Sequence, residues 1–218
     1  MYQHRDIKGS TLDLPVNKVV CVGRNYVGHI KEMNNPVIQE PLLFLKPNTA
    51  LCPLNKPLDI PKKWGRVDHE LEIAVLIGST LSNASPGQVK NAVVGFAVAL
   101  DLTLRDMQQE CKEKGWPWAK AKGFDNSCPI SHFIPAAQCP DWDKIRFSLS
   151  VNGELRQKGK SAQMMTPIAQ LISYASRFFT LQKGDVVLTG TPQGVASLQE
   201  GDRLELTLED YRVNTVVI

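Results

Sequence analysis

Two glutamates stand two residues apart at the start of one apolar run, and an aspartate ends the next apolar run. Glu70 and Glu72 belong to DHELEIAVLI, which predicts one strand over 68–77. On a strand their side chains share a face, with Cα atoms about 7 Å apart, so their charges repel unless a cation or a proton lies between them. Asp101 follows the apolar segment 93–100 and could supply a third oxygen ligand. This set predicts a hard, all-oxygen site for Mg²⁺ or Mn²⁺, although an exposed strand edge with ordinary acidic residues explains the spacing equally well.

A histidine and a glutamate stand three residues apart in YVGHIKEM, which predicts a short helix from Tyr26 to Met33. Residues at i and i+3 share a helical face, so Glu32 could orient the His29 imidazole and raise its basicity. Such a pair could take a proton from water, but on spacing alone an ordinary surface pair explains it better. Gly28 weakens this helix, which favours a lid.

Lys122 and the GTPQG segment at 190–194 offer groups that could bind an anion. Lys122 stands in AKAKGFD, which predicts a polar loop, and its ammonium could stabilise a developing oxyanion. The GTPQG segment offers backbone N–H groups and the Thr191 hydroxyl to a carboxylate, but it lacks the glycine pattern of nucleotide-binding loops. A plain structural turn explains this segment nearly as well.

The elements that must position these residues are mostly strands. Strands are predicted at 18–23, 41–46, 68–77, 93–100, 147–151 and 154–157, the last two joined by a turn at Asn152-Gly153. Helices are predicted at 102–114 and after Thr166-Pro167, and three prolines predict an irregular segment over 47–64. Gly-Asp turns at 184–185 and 201–202 predict that the chain ends in a β meander. We therefore expect a strand-rich α+β fold with peripheral helices, as one domain over 1–218 with an N-terminal arm at 1–17.

Composition narrows the function classes. A net charge of +3 over 218 residues, with both signs interspersed, gives no electrostatic footprint for nucleic acid. The basic runs at 62–63 and 112–114 are interpreted as solvent-exposed surface. Five cysteines without a C-x-x-C pair argue against a disulfide framework and a zinc knuckle. With no apolar run suited to a signal peptide or a membrane span, we expect a cytoplasmic protein that does not enter a membrane.

Six motifs occur in an order that is specific when they are taken together: VVCVGRNYVGHIKEM, FLKP, HELEIAVLIG, GFAVALDLTLRDMQ, WPWAKAKGFDNSCP and GDVVLTGTPQGV. Over about residues 18–195 the chain resembles the fumarylacetoacetate hydrolase family, specifically its short, single-domain acylpyruvase and oxaloacetate-processing branch. The resemblance implies a mixed β-roll, a homodimer, and Mg²⁺ or Mn²⁺ bound by Glu70, Glu72 and Asp101. It also implies a catalytic dyad of His29 and Glu32 on a lid helix, with Lys122 facing the substrate. Five further residues match family positions near the pocket: Arg24, Lys46, Arg105, Gln108 and Thr191.

The resemblance further implies an enzyme that acts on a small anionic 2-oxo acid through a metal-bound enolate. Our first expectation is an acylpyruvate hydrolase, in which His29, oriented by Glu32, activates water and Lys122 stabilises the oxyanion, so that C–C cleavage releases pyruvate. An oxaloacetate tautomerase is a close second, and an oxaloacetate decarboxylase would use the same enolate. A protein that binds a metal and a 2-oxo acid without converting it is a further alternative, which the oriented His29 base argues against.

Overall fold

The computed structural model describes residues 2–32 and 40–218. The strands in these residues are β1 (Val19–Gly23), β2 (Leu42–Lys46), β3 (Leu51–Pro53), β4 (Val67–His69), β5 (Leu71–Ile77), β6 (Val93–Leu100), β7 (Thr103–Leu104), β8 (Cys128–Ile130), β9 (Ile134–Pro135), β10 (Arg146–Val151), β11 (Glu154–Lys160), β12 (Val186–Leu188), β13 (Ala196–Ser197), β14 (Arg203–Leu208) and β15 (Tyr211–Val216). The α-helices are α1 (Val27–Glu32), α2 (Pro86–Ala92), α3 (Arg105–Lys114), α4 (Ala119–Lys122) and α5 (Ile168–Ala175). The predicted strand-rich α+β class is confirmed.

The largest sheet has the strand order β2-β1-β12-β5-β6-β8-β3, with β9 beside β6. The pairs β1–β12 and β3–β8 are parallel and the other pairs are antiparallel, so the sheet is mixed. Every residue of the central strand β5 is buried. Ile73 and Val75 contact one apolar cluster, whereas Ala74 and Leu76 contact another, as the alternation of a strand requires. The sheet therefore carries a core on each face.

Different parts of the chain cover the two faces. The four-stranded sheet β11-β10-β14-β15 packs Phe147 and Leu206, among others, into the first cluster. The second cluster is covered by the N-terminal segment, from which Tyr2, Leu12 and Leu14 pack against it. None of the helices in the described residues is long and apolar enough to cross a membrane.

The predicted strand over 68–77 was wrong, because the chain changes sheets at Glu70. Residues 67–69 pair with β7 and β13 in a three-stranded sheet, whereas 71–77 pair with β6 and β12 in the large sheet. The two runs pair with different strands, so the chain breaks between them where it passes from one sheet to the other. Glu70 lies at this break.

Other boundaries also differ from the sequence prediction. Residues 103–104 form β7, so helix α3 begins at Arg105, and Gly115 ends it in the left-handed conformation with a φ of 66°. Lys122 lies in helix α4 and not in a loop, because the amides at 121–123 close a helical turn onto the carbonyls at 118–119. The helix predicted over 26–33 forms as α1, and Met33 lies outside the described residues.

Three elements were misjudged or missed. Helix α2 was not predicted, although Ser85 and Gln88 form a capping box at its start. Strand β3 forms inside the segment predicted to be irregular, because it pairs with the distant strand β8. The predicted C-terminal meander holds only for the β14–β15 hairpin, since β12 lies between β1 and β5 in the large sheet.

Candidate metal centre and active site

The carboxylates of Glu70, Glu72 and Asp101 converge at one end of the β5–β6 pair. Leu71 is paired with Leu100, so Glu70 before β5 and Asp101 after β6 lie side by side, joined by a hydrogen bond from Asp101 N to Glu70 O at 2.8 Å. One oxygen from each carboxylate lies within 4.8 Å of the others, and all three residues are buried. An antiparallel pair thus brings together acidic residues that are 29 to 31 positions apart in sequence.

Burial and mutual repulsion act most strongly on Glu72. Burial raises the pKa of the Glu72 carboxyl well above its usual range, and the carboxylates of Asp101 and Glu70 raise it further. Its ionised form is supported by a hydrogen bond from the Gly190 N–H to Glu72 Oε2 at 2.5 Å. Three buried carboxylates this close together need positive charge or a proton beside them, and the neighbouring lysines and Arg105 pair with Glu70 and Asp101 but not with Glu72.

The donor set fits a hard divalent cation. The cluster consists of carboxylates alone, which are the ligands that Mg²⁺ and Mn²⁺ prefer over those of zinc. Within the described residues, Asp101 Oδ1 is buried and accepts no hydrogen bond, although Lys46 Nζ lies 2.9 Å away. A divalent cation held by these oxygens would oppose the burial and the repulsion that raise the pKa of the Glu72 carboxyl.

Two buried lysines contact the cluster. Lys122 Nζ donates to Glu70 Oε2 at 2.8 Å and to Asp101 Oδ2 at 2.6 Å. Lys46 Nζ donates to Ser127 O and Oγ at 3.1 and 3.0 Å and to the backbone oxygen of Lys122. Lys46 is fully buried, so it supports Asp101 and the turn after α4 from inside the protein.

Arg105 holds Glu70 in place. Its Nε donates to Asp68 Oδ2 at 2.7 Å, its Nη2 to Glu70 Oε1 at 2.5 Å and its Nη1 to Gln108 Oε1 at 2.6 Å. Although burial opposes ionisation, Lys122 and Arg105 hold the pKa of the Glu70 carboxyl well below its usual range. Asp68 was not predicted as a site residue, although its alternation with Glu70 and Glu72 in DHELE was a sequence signal for it.

Helix α1 is attached to the GTPQG segment. His29 Nδ1 lies 3.4 Å from Glu32 Oε2, and Glu32 Oε1 accepts a hydrogen bond from Gly194 N at 2.9 Å. A Cβ atom at Gly28 would lie 2.4 Å from Gln193 Oε1, so the helix and this segment approach closely here, and a larger residue would require the Gln193 side chain to move. The His29–Glu32 helix and the GTPQG segment therefore form one unit.

The His29 imidazole is buried and is suited to act as a neutral base. Burial lowers the pKa of His29, while the carboxylates of Glu70 and Glu32 partly oppose that effect. Because Nδ1 faces Glu32, the hydrogen-bond pattern assigns its proton to Nδ1 and leaves Nε2 for a substrate.

Gln157 connects the four-stranded sheet to the site. Its Nε2 donates to Thr191 Oγ1 at 2.8 Å and to Pro192 O at 2.9 Å, and its Oε1 accepts from Leu71 N at 2.9 Å. His69 Nδ1 lies 2.8 Å from the same Oε1. Neither Gln157 nor His69 was predicted as a site residue, and nothing in the local pattern around Gln157 could have identified it.

The cleft between these elements contains about 410 Å³ of space between atoms, including the open space at its mouth. Its walls also include Phe44, Trp118, Lys112 and Arg24, whose φ of 63° is uncommon for a residue with a side chain. The assignment of Lys112 to exposed surface was wrong, because it follows Arg105 by seven positions and lies on the same face of α3.

Most of the predicted site residues meet in this cleft, which is lined by Arg24, His29, Glu70, Glu72, Asp101, Arg105, Gln108, Lys122 and Thr191. Glu32 and Lys46 contact it through His29 and Asp101. Their roles in catalysis stay predictions.

Comparison with known proteins identifies the family. Residues 18–217 match the family described as fumarylacetoacetate (FAA) hydrolase C-terminal. The chain is 57% identical to oxaloacetate tautomerase YcgM of Escherichia coli over the full length of both proteins. It is 46% identical to the mitochondrial oxaloacetate tautomerase FAHD1 of Homo sapiens, over 86% of this chain and 85% of that protein.

Solved structures share the fold. A fumarylacetoacetate hydrolase family protein from Yersinia pestis is 57% identical, with a TM-score of 0.98 over all of both chains. Fumarylpyruvate hydrolase from Pseudomonas aeruginosa, solved with Mn²⁺ and pyruvate, is 36% identical with a TM-score of 0.93, over all of this chain and 95% of that one. The expected mixed β-roll is thereby confirmed, and the chain belongs to the fumarylacetoacetate hydrolase family of enzymes.

Proposed function

We propose that this protein is a divalent-metal-dependent oxaloacetate keto–enol tautomerase. The observation that carries the proposal is the convergence of three buried carboxylates within 4.8 Å in the cleft that also holds the His29 imidazole. The first expectation from the sequence was an acylpyruvate hydrolase, and we now place the tautomerase first. The reason is that a relative named oxaloacetate tautomerase is 57% identical over its full length.

Each group has a role in moving one proton between C3 and the oxygen on C2. Mg²⁺ or Mn²⁺ held by Glu70, Glu72 and Asp101 would supply Lewis-acid chemistry, which polarises the 2-keto group and acidifies C3. His29 Nε2 takes the proton from one of these atoms and returns it to the other, while Glu32 keeps the ring oriented through Nδ1. Lys122 adds positive charge beside the developing enolate oxygen.

A second candidate is hydrolysis of a 2,4-dioxo acid to give pyruvate. It is favoured by the likeness to the fumarylpyruvate hydrolase solved with Mn²⁺ and pyruvate, which extends over this whole chain. The same His29–Glu32 pair could deprotonate a water in place of C3. The two reactions differ in whether a water must reach the distal carbonyl and whether pyruvate is released.

Both reactions are tested on one preparation. Freshly dissolved oxaloacetate is followed by the ultraviolet absorbance of its enol, and pyruvate release is followed in parallel from oxaloacetate and from a panel of 2,4-dioxo acids. Each assay is run with Mg²⁺ and with a chelator, and a blank with Mg²⁺ but no protein corrects for enolisation by the free ion. We expect the protein with Mg²⁺ to accelerate enol–keto exchange without forming pyruvate, and the chelator to remove this effect.

The variant His29→Ala separates catalysis from binding. We expect it to lose enol–keto exchange by at least about 100-fold while calorimetry still detects Mg²⁺ binding. Rapid pyruvate release from a dioxo acid without enol–keto exchange would instead establish the hydrolase. If neither reaction occurs with Mg²⁺ present, the protein is a binder and both proposals are wrong.

A further inference from the structure

Helix α3 points three polar side chains into the cleft. Arg105, Gln108 and Lys112 occupy positions i, i+3 and i+7, which share one face of a helix, and all three line the cleft. Arg105 holds the metal ligand Glu70 at one end of this row. Lys112 stands seven residues further on, roughly 10 Å along the helix axis at 1.5 Å per residue. The row therefore runs from the carboxylate cluster towards the far end of any ligand bound there.

Among the residues that the structure describes, Lys112 has no anionic partner, whereas Lys122 and Arg105 in the same cleft each have one. Lys122 pairs with Glu70 and Asp101, and Arg105 pairs with Glu70. Across residues 2–32 and 40–218, by contrast, the Lys112 ammonium makes neither an ion pair nor a hydrogen bond. Its contact is with the ring of Trp118, whose centroid lies 5.8 Å from Nζ.

The surroundings of Lys112 favour a bound anion. Burial lowers the pKa of Lys112, and the positive charges of Arg105 and Arg24 lower it further, while Glu70 opposes them. Lys114 shows the ordinary surface arrangement on the same helix, since it is exposed and pairs with Glu110 at 2.6 Å. An anion beside Lys112 would supply the charge that no described residue supplies.

We propose that Lys112 binds the distal carboxylate of a dicarboxylic 2-oxo acid, so that the cleft selects dicarboxylates over 2-oxo acids with an uncharged far end. This deepens the proposed function, because oxaloacetate carries a second carboxylate and acetylpyruvate does not. The carboxylate cluster and its cation would hold the 2-oxo acid end, and Phe44 and Trp118 offer an apolar wall to the carbon chain between the two ends.

The test uses two ligands that differ only at the far end. The probes 2-oxoglutarate and 2-oxopentanoate have the same chain length and the same 2-oxo acid group, but only the first has a distal carboxylate. Their dissociation constants are measured by calorimetry in saturating Mg²⁺ for the wild type and for Lys112→Met, Lys112→Arg and Lys114→Met. Lys114→Met is the matched control, because it removes the same charge from the exposed face of the same helix.

We expect Lys112→Met to weaken the binding of 2-oxoglutarate about tenfold or more, which is the value of one charge-assisted hydrogen bond. The affinity for 2-oxopentanoate should be unchanged. Lys112→Arg should bind 2-oxoglutarate nearly as tightly as the wild type does. Lys114→Met should bind both probes as the wild type does. Equal weakening of both probes, no weakening of either, or the same selective loss in Lys114→Met would overturn the proposal.

A kinetic measurement separates this inference from the proposed function. If the wild type exchanges enol and keto oxaloacetate, Lys112→Met should raise KM by a factor similar to the loss in 2-oxoglutarate affinity. If the wild type shows no exchange but the selective loss of binding is seen, Lys112 retains its role and the proposed tautomerase is wrong. If exchange is normal and binding is not selective, the assignment of Lys112 is wrong.

Discussion

Replacing Lys122 by methionine should make the stability of the protein depend on the metal. Lys122 is buried and donates to Glu70 and Asp101, and these two carboxylates raise its pKa above the usual range although burial favours the neutral amine. Methionine has a similar length but no charge, so Lys122→Met leaves both carboxylates without this partner. Breaking a buried pair in this way costs about 3 to 5 kcal/mol of unfolding free energy.

The expected change is large enough to measure by heating. In a domain of this size each kcal/mol lowers Tm by about 2 to 4 °C, so Lys122→Met should melt roughly 6 to 20 °C below the wild type in chelator. Mg²⁺ should recover most of this loss, because a cation then neutralises the oxygens that the ammonium had contacted. The increase in Tm between chelator and saturating Mg²⁺ should thus be larger in Lys122→Met than in the wild type.

The control is Lys120→Met, which removes an exposed lysine from the same short helix α4. Differential scanning calorimetry is run on all three proteins, with and without Mg²⁺, and titration calorimetry gives the Mg²⁺ affinity. We expect Lys120→Met to behave as the wild type does. Two results would refute this prediction: Lys122→Met melts at the wild-type temperature in chelator, or Mg²⁺ raises the Tm of Lys122→Met and of the wild type by the same amount.

Three further changes test other parts of the site. Glu32→Gln should lower kcat about 10- to 100-fold by releasing His29 from its orientation. Because Glu32 raises the pKa of His29, the acid limb of the pH profile of kcat should also move to lower pH in this variant. A shift of that limb to higher pH would contradict this role of Glu32. Glu72→Gln should abolish stabilisation by Mg²⁺. The pKa of Glu72 is raised in the folded protein, so the free energy of unfolding of the wild type falls as the pH rises above the pKa that Glu72 has in the unfolded chain. Without this carboxyl, Glu72→Gln should melt at a higher temperature than the wild type in chelator near pH 8. A lower Tm would count against the proposed convergence. Gly194→Ala should destabilise the fold far more than Gly201→Ala in chemical denaturation. Both glycines have φ near 90° to 100°, but only at Gly194 would a Cβ lie 2.0 Å from a backbone oxygen, so equal losses would refute this steric argument.

Local sequence patterns predicted strands well where a continuous segment pairs within a single sheet. The apolar segment 93–100 is strand β6, and Asn152-Gly153 turns the hairpin of β10 and β11, as their patterns predicted. The errors lie where distant pairing decides the outcome, as at Glu70, where the chain leaves one sheet for another, and at β3, which exists because β8 lies beside it. Sequence periodicity carries no information about such partners.

The candidate site was predicted best where two of its residues lie close together in sequence. The spacing of Glu70 and Glu72, and of His29 and Glu32, suggested a site, but on spacing alone an ordinary surface explained each pair at least as well, and the family resemblance decided between the two. The cleft contains Glu70, Glu72 and His29, and Glu32 contacts it through His29. Gln157 was missed because it reaches Thr191 from another sheet, 34 positions away. The homodimer implied by the resemblance stays a prediction, which light scattering in solution would test.

The structure gives the two glutamates of the predicted pair different electrostatic roles, which their spacing could not distinguish. Glu70 lies at the sheet break, where Arg105 and Lys122 both reach it, so its carboxylate is ionised whether or not a cation is bound. Glu72 lies inside β5, where the Gly190 N–H is its hydrogen-bond donor among the described residues, and burial favours its proton. A cation bound beside Glu72 would favour its ionised form and lower its pKa, so the affinity of the site for Mg²⁺ should rise with pH through the range in which Glu72 loses its proton.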